Sequence, residues 1–233
     1  MQHPSTALVT GSTGNLGRAV AKAFGERGAN LVLLGHRREA LVSAFGNEDA
    51  RRMFASADLL DQRKVDAVVR VAIERFGRID VLCNIAGGFR MGTPVHAMSD
   101  DDWSLMFDVN VRTLLNCVRA VVPHMIEAGG GKIVNIGAAS AQRGAANMGA
   151  YCAAKSSVIR ITESMAAELR DKNVNVNCVL PTTIDTPENR AAMPGADPAR
   201  WVAPEDLANV IVFLGSSDAR AIHGAAISVP GLS

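Results

Sequence analysis

Two hydrophobic patterns alternate along this chain. Short runs rich in Val, Ile, Leu and Ala are typical of buried strands, whereas longer segments with apolar residues every three or four positions are typical of amphipathic helices. The first pattern predicts seven strands, over residues 6–10, 30–34, 53–57, 79–85, 132–136, 174–180 and 225–229. The second pattern predicts helices over 15–27, near Glu39, over 62–76, 100–127 and 148–170, and up to Leu214.

The alternation of strand and helix predicts parallel strands joined by right-handed helical crossovers. We therefore expect an α/β protein: a single-domain, doubly wound Rossmann fold over residues 1–233, with a seven-stranded parallel sheet and helices on both faces. In such sheets, ligands bind at the carboxyl ends of the strands. A proline-rich stretch, 181–204, interrupts the rhythm, and we expect about 183–203 to form a lid or binding loop for the substrate.

Composition excludes several function classes. Hydrophobic residues make up 48% of the chain and charged residues 20%, which is typical of a globular protein. The net charge of +1 gives no footprint for nucleic acid, and no apolar run approaches the ~20 residues that span a membrane. The five histidines lack metal-ligand spacing, so we predict no metal site. Four separated cysteines in apolar stretches indicate reduced core residues of a cytoplasmic protein: Cys83, Cys117, Cys152 and Cys178.

A glycine-rich turn, TGSTGNLG at 10–17, lies between the first strand and the first helix. Gly11 permits the tight turn, Gly14 lets the backbone approach a pyrophosphate, and Gly17 lets the helix pack on the sheet. The amino end of the helix then offers free N–H groups to an anion. This context predicts dinucleotide binding; the alternative is a structural loop that needs glycine only for turning. The turn residues expected to contact the cofactor are Gly11, Thr13, Asn15 and Leu16.

The end of the second strand bears on the choice of cofactor. An acidic residue there would accept hydrogen bonds from a ribose hydroxyl and select NAD. This chain has no acid at that place, and His36 and Arg37 are candidates to hold a 2′-phosphate. We therefore favour NADP(H) over NAD(H); the alternative is that both side chains face solvent. The cofactor contacts expected after the third and fourth strands are Asp58, Leu59, Asn84, Ala86 and Gly87.

The only tyrosine of the chain, Tyr151, is followed one helical turn later by Lys155. Residues four apart lie on the same face of a helix. A cation ~4 Å from a phenolate contributes about 4 kcal/mol at an effective dielectric of ~20, equivalent to about 3 pKa units. The pair therefore predicts a phenol that titrates near neutrality, where proton transfer is efficient. The alternative is a tyrosine and a lysine on an ordinary helix.

The motifs together resemble the short-chain dehydrogenase/reductase family in their order and spacing, over essentially the whole chain. The similarity rests on TGSTGNLG, NIAG, Asn110 in the predicted long helix, IVNIG, YCAAK and PTTIDT. It implies an NAD(P)(H)-dependent oxidoreductase that transfers a hydride between nicotinamide and a small carbonyl or alcohol substrate. It also implies that Tyr151 donates or accepts the proton, that Lys155 tunes it and holds the nicotinamide ribose, and that Asn110 supports Lys155 through a water.

The resemblance implies two further features. Residues after the sixth strand, Pro181, Ile184 and Thr186, would line the nicotinamide carboxamide. The long helices 100–127 and 148–170 would pair copies of the chain into a homodimer or homotetramer.

One departure from the family pattern puts ordinary alcohol and ketone chemistry in doubt. The family usually has a serine thirteen residues before the tyrosine, where this chain has Ala138. A missing donor to a developing oxyanion can cost ~10²–10³ in rate. If the segment is still extended, Ser140 faces the same side as Ala138 and is a candidate substitute.

Two other functions therefore stay open. The first is reduction of a quinonoid compound, because the chain also resembles quinonoid dihydropteridine reductase, a branch that carries alanine in place of the serine. That resemblance includes the first glycine spacing, Ala-Gly-Gly at 86–88 and the segment DTPENRAAMPGAD at 185–197. Against it, that branch has an acid after strand two and selects NADH. The second is a nucleotide-binding sensor with weak catalysis.

Overall fold

The computed structural model describes residues 5–232, and its strands form one sheet. The strands are β1 (Thr6–Thr10), β2 (Asn30–Gly35), β3 (Arg52–Ser56), β4 (Val81–Asn84), β5 (Gly131–Ile136), β6 (Val174–Pro181) and β7 (Ala226–Val229). Their order is β3-β2-β1-β4-β5-β6-β7, and each neighbouring pair is parallel. The predicted seven-stranded parallel sheet is confirmed.

Helices cover both faces of this sheet. They are α1 (Asn15–Glu26), α2 (Arg38–Phe45), α3 (Gln62–Phe76), α4 (Asp100–Phe107), α5 (Thr113–Glu127), α6 (Gly149–Leu169), α7 (Pro187–Ala192) and α8 (Pro204–Leu214). Within residues 5–232, no helix combines the length and apolarity needed to cross a membrane.

The two hydrophobic cores follow from the alternation of side chains along each strand. In β1, Val9 belongs to the core beneath α1 and α8, whereas Leu8 belongs to the core beneath α3, α5 and α6. In β5, Val134 and Ile133 divide in the same way. Both cores consist mainly of Ala, Val, Leu and Ile, with a few Phe, Met and Cys side chains, in keeping with the low aromatic content of 4%. The doubly wound arrangement is therefore confirmed.

The strand order reverses at β1, which lies between β2 and β4. Strands on either side of this point are connected in opposite directions, so their carboxyl-end loops diverge and leave a crevice. Thr10 and Asn84 end the two strands that flank the crevice. The crevice is where the sequence motifs converge.

The predicted long helix 100–127 is wrong in one respect, because it is interrupted. A wide π-helical turn, Asp108–Arg112, separates α4 from α5. Asn110 lies in this turn, and its side-chain Nδ2 donates to Met106 O at 2.9 Å. In an α-helix that carbonyl accepts the backbone N–H of residue 110, so the side chain competes with regular helix geometry. Such turns occur frequently at functional sites.

The proline-rich stretch contains more regular structure than its sequence indicates. It includes α7 and a 3₁₀ turn, Pro198–Arg200. Its base is closed by a bridge between Ile184 and Val202, with Asp185 N donating to Val202 O at 2.8 Å. The segment 183–203 is therefore a loop beyond the end of β6 whose two ends are held together by hydrogen bonding.

Candidate active site

The glycine-rich turn packs tightly against its surroundings at two of its glycines. Gly11 has a φ of +61°, and a Cβ there would lie 3.0 Å from backbone atoms of Ala86. A Cβ on Gly17 would lie 2.3 Å from Gly11 O. Because Gly11 and Gly17 have no side chains, the turn can lie directly against α1 on one side and against the loop after β4 on the other.

The amino end of α1 is suited to an anion. Its N-cap is Gly14, which provides no side-chain hydrogen bond to the first-turn N–H groups. Thr13 is half-buried, its carbonyl accepts a hydrogen bond from Arg18 Nε at 2.9 Å, and Leu16 is buried. The exposed side chain of Asn15 reaches across to α7. An uncapped helix start beside the crevice fits the diphosphate of a dinucleotide.

Thr10 orders the loop after β4, although sequence reasoning assigned it no function. Its Oγ1 donates to Cys83 O at 3.3 Å and accepts from the backbone N–H groups of Ile85 and Ala86 at 2.9 and 3.0 Å. This bridge places Ala86 and the exposed Gly87 at the mouth of the crevice. The signal was the threonine that begins TGSTGNLG.

The residues after β2 and β3 stand at the crevice edge. His36 and Arg37 are exposed, and Ser56 Oγ donates to His36 O at 2.8 Å. The neighbouring Arg38 is ion-paired with Glu48. Arg37 is therefore the better placed of the two arginines to meet a ligand.

The residues after β3 divide between surface and core. The carboxylate of the exposed Asp58 accepts a hydrogen bond from Leu60 N at 2.9 Å. Leu59 is buried, and its carbonyl accepts from Asn116 Nδ2 at 2.8 Å. Asp58 is thus oriented at the surface, while Leu59 can offer a ligand little beyond its backbone.

Asn84 starts a buried polar chain that crosses from the crevice to α6. Its Nδ2 donates to Asn135 Oδ1 at 2.9 Å, and Asn135 Nδ2 donates to Thr162 Oγ1 at 2.9 Å. Thr162 in turn donates to Val158 O at 2.8 Å. Among the described residues, Asn84 Oδ1 has no hydrogen-bond partner. Sequence reasoning missed Asn135 and Thr162, for which the polar residue inside IVNIG was the available signal.

Three predicted residues meet at the loop after β4. Asn110 Oδ1 accepts from Gly88 N at 3.2 Å, and its Nδ2 donates to Gly88 O at 3.0 Å. A Cβ on Gly87 would lie 2.7 Å from Asn110 Oδ1 and 3.4 Å from Lys155 Nζ. The structure thus brings Gly87, Asn110 and Lys155 together, with the π turn delivering the asparagine.

Tyr151 and Lys155 lie one turn apart at the start of α6, as predicted. Lys155 is 6% exposed, and its Nζ donates to Ile136 O at 2.9 Å. Burial lowers its pKa to about 8. The half-buried Tyr151 ring contacts Phe89 edge-on, with 4.8 Å between ring centroids.

The expected lowering of the phenol pKa is wrong for this arrangement. Burial, followed by the neighbouring Cys152, raises the pKa of Tyr151 to about 12. The Lys155 ammonium is turned toward Ile136 O and lies 6.0 Å from the centroid of the tyrosine ring. Desolvation of the phenolate therefore sets the direction of the pKa shift of Tyr151.

The structure also corrects the premise for Ser140. Ala138 is buried and still extended, with φ −159° and ψ 152°, but a 3₁₀ turn, Ala139–Gln142, follows at once. Ser140 lies within that turn, so strand alternation does not relate it to Ala138. Its hydroxyl as a substitute donor stays a prediction.

The residues after β6 are held in place by hydrogen bonds among themselves. Pro181 is buried, and Ile184 O accepts from Asn189 Nδ2 at 2.8 Å. Thr186 caps α7, because its Oγ1 accepts from Asn189 N at 3.1 Å. Arg190 forks onto Asp185 at 2.6 and 2.7 Å. The DTPENR motif thus has a local structural function: it builds and anchors α7.

Comparison with known proteins decides the family. A family model described as short chain dehydrogenase matches residues 5–196. The chain belongs to the short-chain dehydrogenase family. One relative of this chain is the (2S)-[(R)-hydroxy(phenyl)methyl]succinyl-CoA dehydrogenase subunit BbsD of Thauera aromatica, 34% identical over 97% of this chain and 94% of that protein. Another is the 3-oxoacyl-[acyl-carrier-protein] reductase FabG of Chlamydia muridarum, 33% identical over 97% and 95%.

Solved structures agree with this membership. The 3-ketoacyl-(acyl-carrier-protein) reductase from Brucella melitensis complexed with NADH superposes with a TM-score of 0.88, 28% identity and 98% coverage of each chain. This member of the short-chain dehydrogenase family is an oxidoreductase that transfers a hydride between a nicotinamide cofactor and its substrate. The narrower resemblance to quinonoid dihydropteridine reductase is not shown by these relatives.

Proposed function

We propose that this chain is an NADP(H)-preferring reductase or dehydrogenase of a small carbonyl or alcohol substrate, with Tyr151 as the group that moves the proton. The observation that carries the proposal is the buried Lys155 ammonium, one turn from Tyr151 and beside Gly87 and Asn110. A charged lysine kept in a dry crevice is costly to stability, so its presence supports a functional use. The segment 183–203 is proposed as the lid over the substrate.

The proton step follows from the two pKa values. When bound, the reduced nicotinamide supplies the hydride that the carbonyl carbon accepts. With a pKa of about 12, the Tyr151 phenol is protonated at neutral pH and serves as a donor to the carbonyl oxygen. With a pKa of about 8, Lys155 is mostly charged at pH 7 and stabilises the phenolate that remains. Asn110 holds the loop after β4 in place and thereby positions Gly87 beside the Lys155 ammonium.

Replacement of Tyr151 by Phe tests the proposal. We expect turnover to fall by about 10²–10⁴-fold, the range that general acid catalysis contributes. Cofactor affinity, measured by fluorescence titration, should stay within about threefold, because the ring and its packing on Phe89 are retained. Full turnover in Tyr151→Phe would remove the phenol from the mechanism. Unchanged turnover in Ser140→Ala would likewise eliminate Ser140 as the substitute donor.

The preference for NADP(H) is supported by the exposed His36 and Arg37 after β2 and by the lack of an acid there. Arg37→Ala should weaken NADPH binding about tenfold while leaving NADH binding nearly unchanged, since only NADPH carries the 2′-phosphate. Arg38→Ala is the matched control, because Arg38 is paired with Glu48. NADH binding tenfold tighter than NADPH binding in the unmodified chain would overturn this preference.

Ala138 supports a second candidate. Its buried methyl group has no hydrogen-bond donor to offer a developing oxyanion. Reduction of a quinonoid compound requires proton transfer of a different kind from reduction of a ketone. A nucleotide-binding sensor with weak catalysis requires no proton transfer. A panel of ketones, diketones, quinones and quinonoid pterins with both reduced cofactors separates these outcomes. Binding of NADPH without reduction of any panel member would favour the sensor.

Location and assembly are proposed from the surface and the cysteines. The four cysteines are buried and free, which fits a reducing compartment such as the cytoplasm. Trp103 and Leu105 on α4 are large apolar residues that remain exposed. They support a homodimer or homotetramer that covers this helix, and analytical ultracentrifugation tests that assembly.

A further inference from the structure

A groove separate from the crevice lies between α1, α2 and the start of β3. Its volume is about 790 Å³, and pockets that bind small molecules measure roughly 300–1,000 Å³. Leu31, near the start of β2, lines this α1–α2 groove, whereas the crevice lies beyond the last residue of that strand, Gly35. The groove is therefore at the opposite end of β2 from the candidate active site.

The floor of the α1–α2 groove is apolar. Ala21 of α1, Ala29 and Leu31 line it and are buried, and Phe45 at the end of α2 lines it and is half-buried. Removal of apolar surface from water is favourable in rough proportion to the area covered. The floor therefore suits the hydrocarbon part of a ligand.

Gly25, in the last turn of α1, keeps the groove open. The residue is exposed, and outside its own helix a Cβ there would meet only Leu31 Cδ1, at 3.5 Å, which is an ordinary contact. Packing within the chain therefore does not require glycine at this place, although only proline is less favourable in a helix. A ligand that lies against this stretch of α1 accounts for the missing side chain.

The charged residues of the groove leave one cation without an acidic partner. Four of them form two ion pairs, Lys22 with Glu26 and Asp49 with Arg52. The fifth, Arg51, has no acidic side chain within ion-pair distance among residues 5–232, and its Nη1 makes only a long hydrogen bond, 3.5 Å, to Gly28 O. A guanidinium with free N–H groups matches the two oxygens of a carboxylate.

The end of α1 does not oppose an anion strongly. The carboxyl end of a helix is electronegative, and a nearby cation offsets this effect. Arg27 provides one, because its Nη1 donates to Ala23 O at 2.9 Å. Arg51 is therefore free to bind an anion from outside the chain.

We propose that the α1–α2 groove is a second ligand site, and that it takes an amphipathic monoanion with an alkyl body and one carboxylate. The alkyl body lies on the floor formed by Ala21, Leu31 and Phe45, beside Gly25. The carboxylate accepts hydrogen bonds from Arg51. Binding at this site is independent of hydride transfer.

Isothermal titration calorimetry with octanoate tests the proposal, with excess NADP⁺ present to occupy the crevice. From hexanoate to decanoate, each methylene should raise the affinity about fourfold until the groove is filled. At equal chain length, 1-octanol and octylammonium should each bind at least about tenfold more weakly than octanoate, because neither gives the guanidinium a carboxylate.

Two substitutions at Gly25 test the place of binding. Gly25→Leu fills the groove beside Leu31 and should weaken octanoate binding at least about tenfold. Gly25→Ala is the matched control, because one methyl group leaves most of the volume open, and its affinity should stay within about threefold. Urea unfolding verifies that both variants fold, and both should be at least as stable as the unmodified chain, since Ala and Leu favour a helix more than Gly does.

Arg51→Gln tests the charge separately. It should weaken octanoate binding about tenfold and leave 1-octanol binding within about twofold. Arg63→Gln, at an exposed position of α3, is the control for net charge.

Four outcomes would overturn the proposal. The first is octanoate binding that is unchanged in Gly25→Leu, which would place the anion outside the groove. The second is an equal loss of affinity in Arg51→Gln and Arg63→Gln. The third is binding of 1-octanol or octylammonium as tight as that of octanoate. The fourth is neither heat nor a rise in the thermal unfolding midpoint at millimolar octanoate.

Discussion

Asn15 Nδ2 donates a hydrogen bond to Glu188 Oε2 at 2.9 Å, and thereby joins the glycine-rich turn to α7. Hydrogen bonds from its own backbone N–H, from Thr186 and from Asn15 lower the pKa of the Glu188 carboxyl, so it is ionised at neutral pH. A negative charge therefore stands beside the helix start that is proposed to hold a diphosphate. The Glu188 carboxylate and the cofactor diphosphate therefore compete for the same electropositive amino end of α1.

Glu188→Gln should tighten cofactor binding, because the amide keeps an acceptor for Asn15 and removes the repulsion. We expect a decrease in Kd of up to about fivefold at low ionic strength, and a smaller one at high salt. Fluorescence titration of NADPH at two salt concentrations measures both. Glu168→Gln, on the exposed side of α6, is the control for net charge. Weaker binding in Glu188→Gln would show that the carboxylate helps to hold the cofactor.

The single tyrosine makes the phenol pKa directly observable. Ultraviolet absorbance of the tyrosinate should show less than about one tenth ionisation at pH 11, since burial raises the pKa of Tyr151 to about 12. In denaturant the same group should titrate near its ordinary value of ~10. Circular dichroism confirms that the chain is folded at each pH. Half-ionisation of the folded chain at or below pH 10 would contradict the dominance of desolvation.

Lys155→Met should stabilise the fold at pH 7 while it impairs turnover. Lowering of the lysine pKa from 10.5 to about 8 corresponds to about 3 kcal/mol of destabilisation by the buried charge. Loss of the hydrogen bond to Ile136 O reduces the net gain to about 1–3 kcal/mol. Urea unfolding at pH 7 measures the difference between the two proteins.

The pH dependence of that difference has a definite sign. Between pH 8 and 10.5 the unfolded lysine still binds a proton that the folded one has released, so the unmodified chain gains stability as pH rises. The advantage of Lys155→Met should therefore shrink across this window. Taking the difference cancels the opposing titration of Tyr151, Cys83 and Cys117, because burial raises the pKa of each of these groups in both folded proteins. A difference that is constant from pH 7 to 10.5 would argue against a buried charge.

Two glycines of the same turn should respond differently to alanine. In Gly17→Ala the new Cβ would meet Gly11 O at 2.3 Å, so backbone must shift, at a cost of about 1–3 kcal/mol or more in unfolding free energy. In Gly14→Ala the nearest atom is at 3.4 Å, and stability should change by less than about 1 kcal/mol. Cofactor binding should weaken in both, in Gly14→Ala because the added methyl group would take up space at the amino end of α1, which is proposed to hold the diphosphate. Urea unfolding and NADPH titration distinguish the two effects.

Local patterns were sufficient to predict the strands and the two-faced sheet. These features depend on side-chain alternation and on where parallel strands end. The π turn was not predictable in this way, because it depends on Asn110 bonding to Gly88, a partner from another element. The direction of the Tyr151 pKa was missed because desolvation depends on burial depth, which a spacing of four residues does not contain.

The π-helical turn at Asp108–Arg112 contains one residue more than an α-helical turn. The side chains of α5 are therefore rotated about the helix axis relative to those that a continuation of α4 would present. A helical-wheel projection drawn continuously from Asp100 to Glu127 would rotate the later residues by about one position, or ~100°. Alignments that place a gap within α4 or α5, rather than at the turn, would exchange lining residues for solvent-facing ones. Deletion of a single residue at Val109 should close the circuit to a regular helix and swing Asn110 away from Gly88.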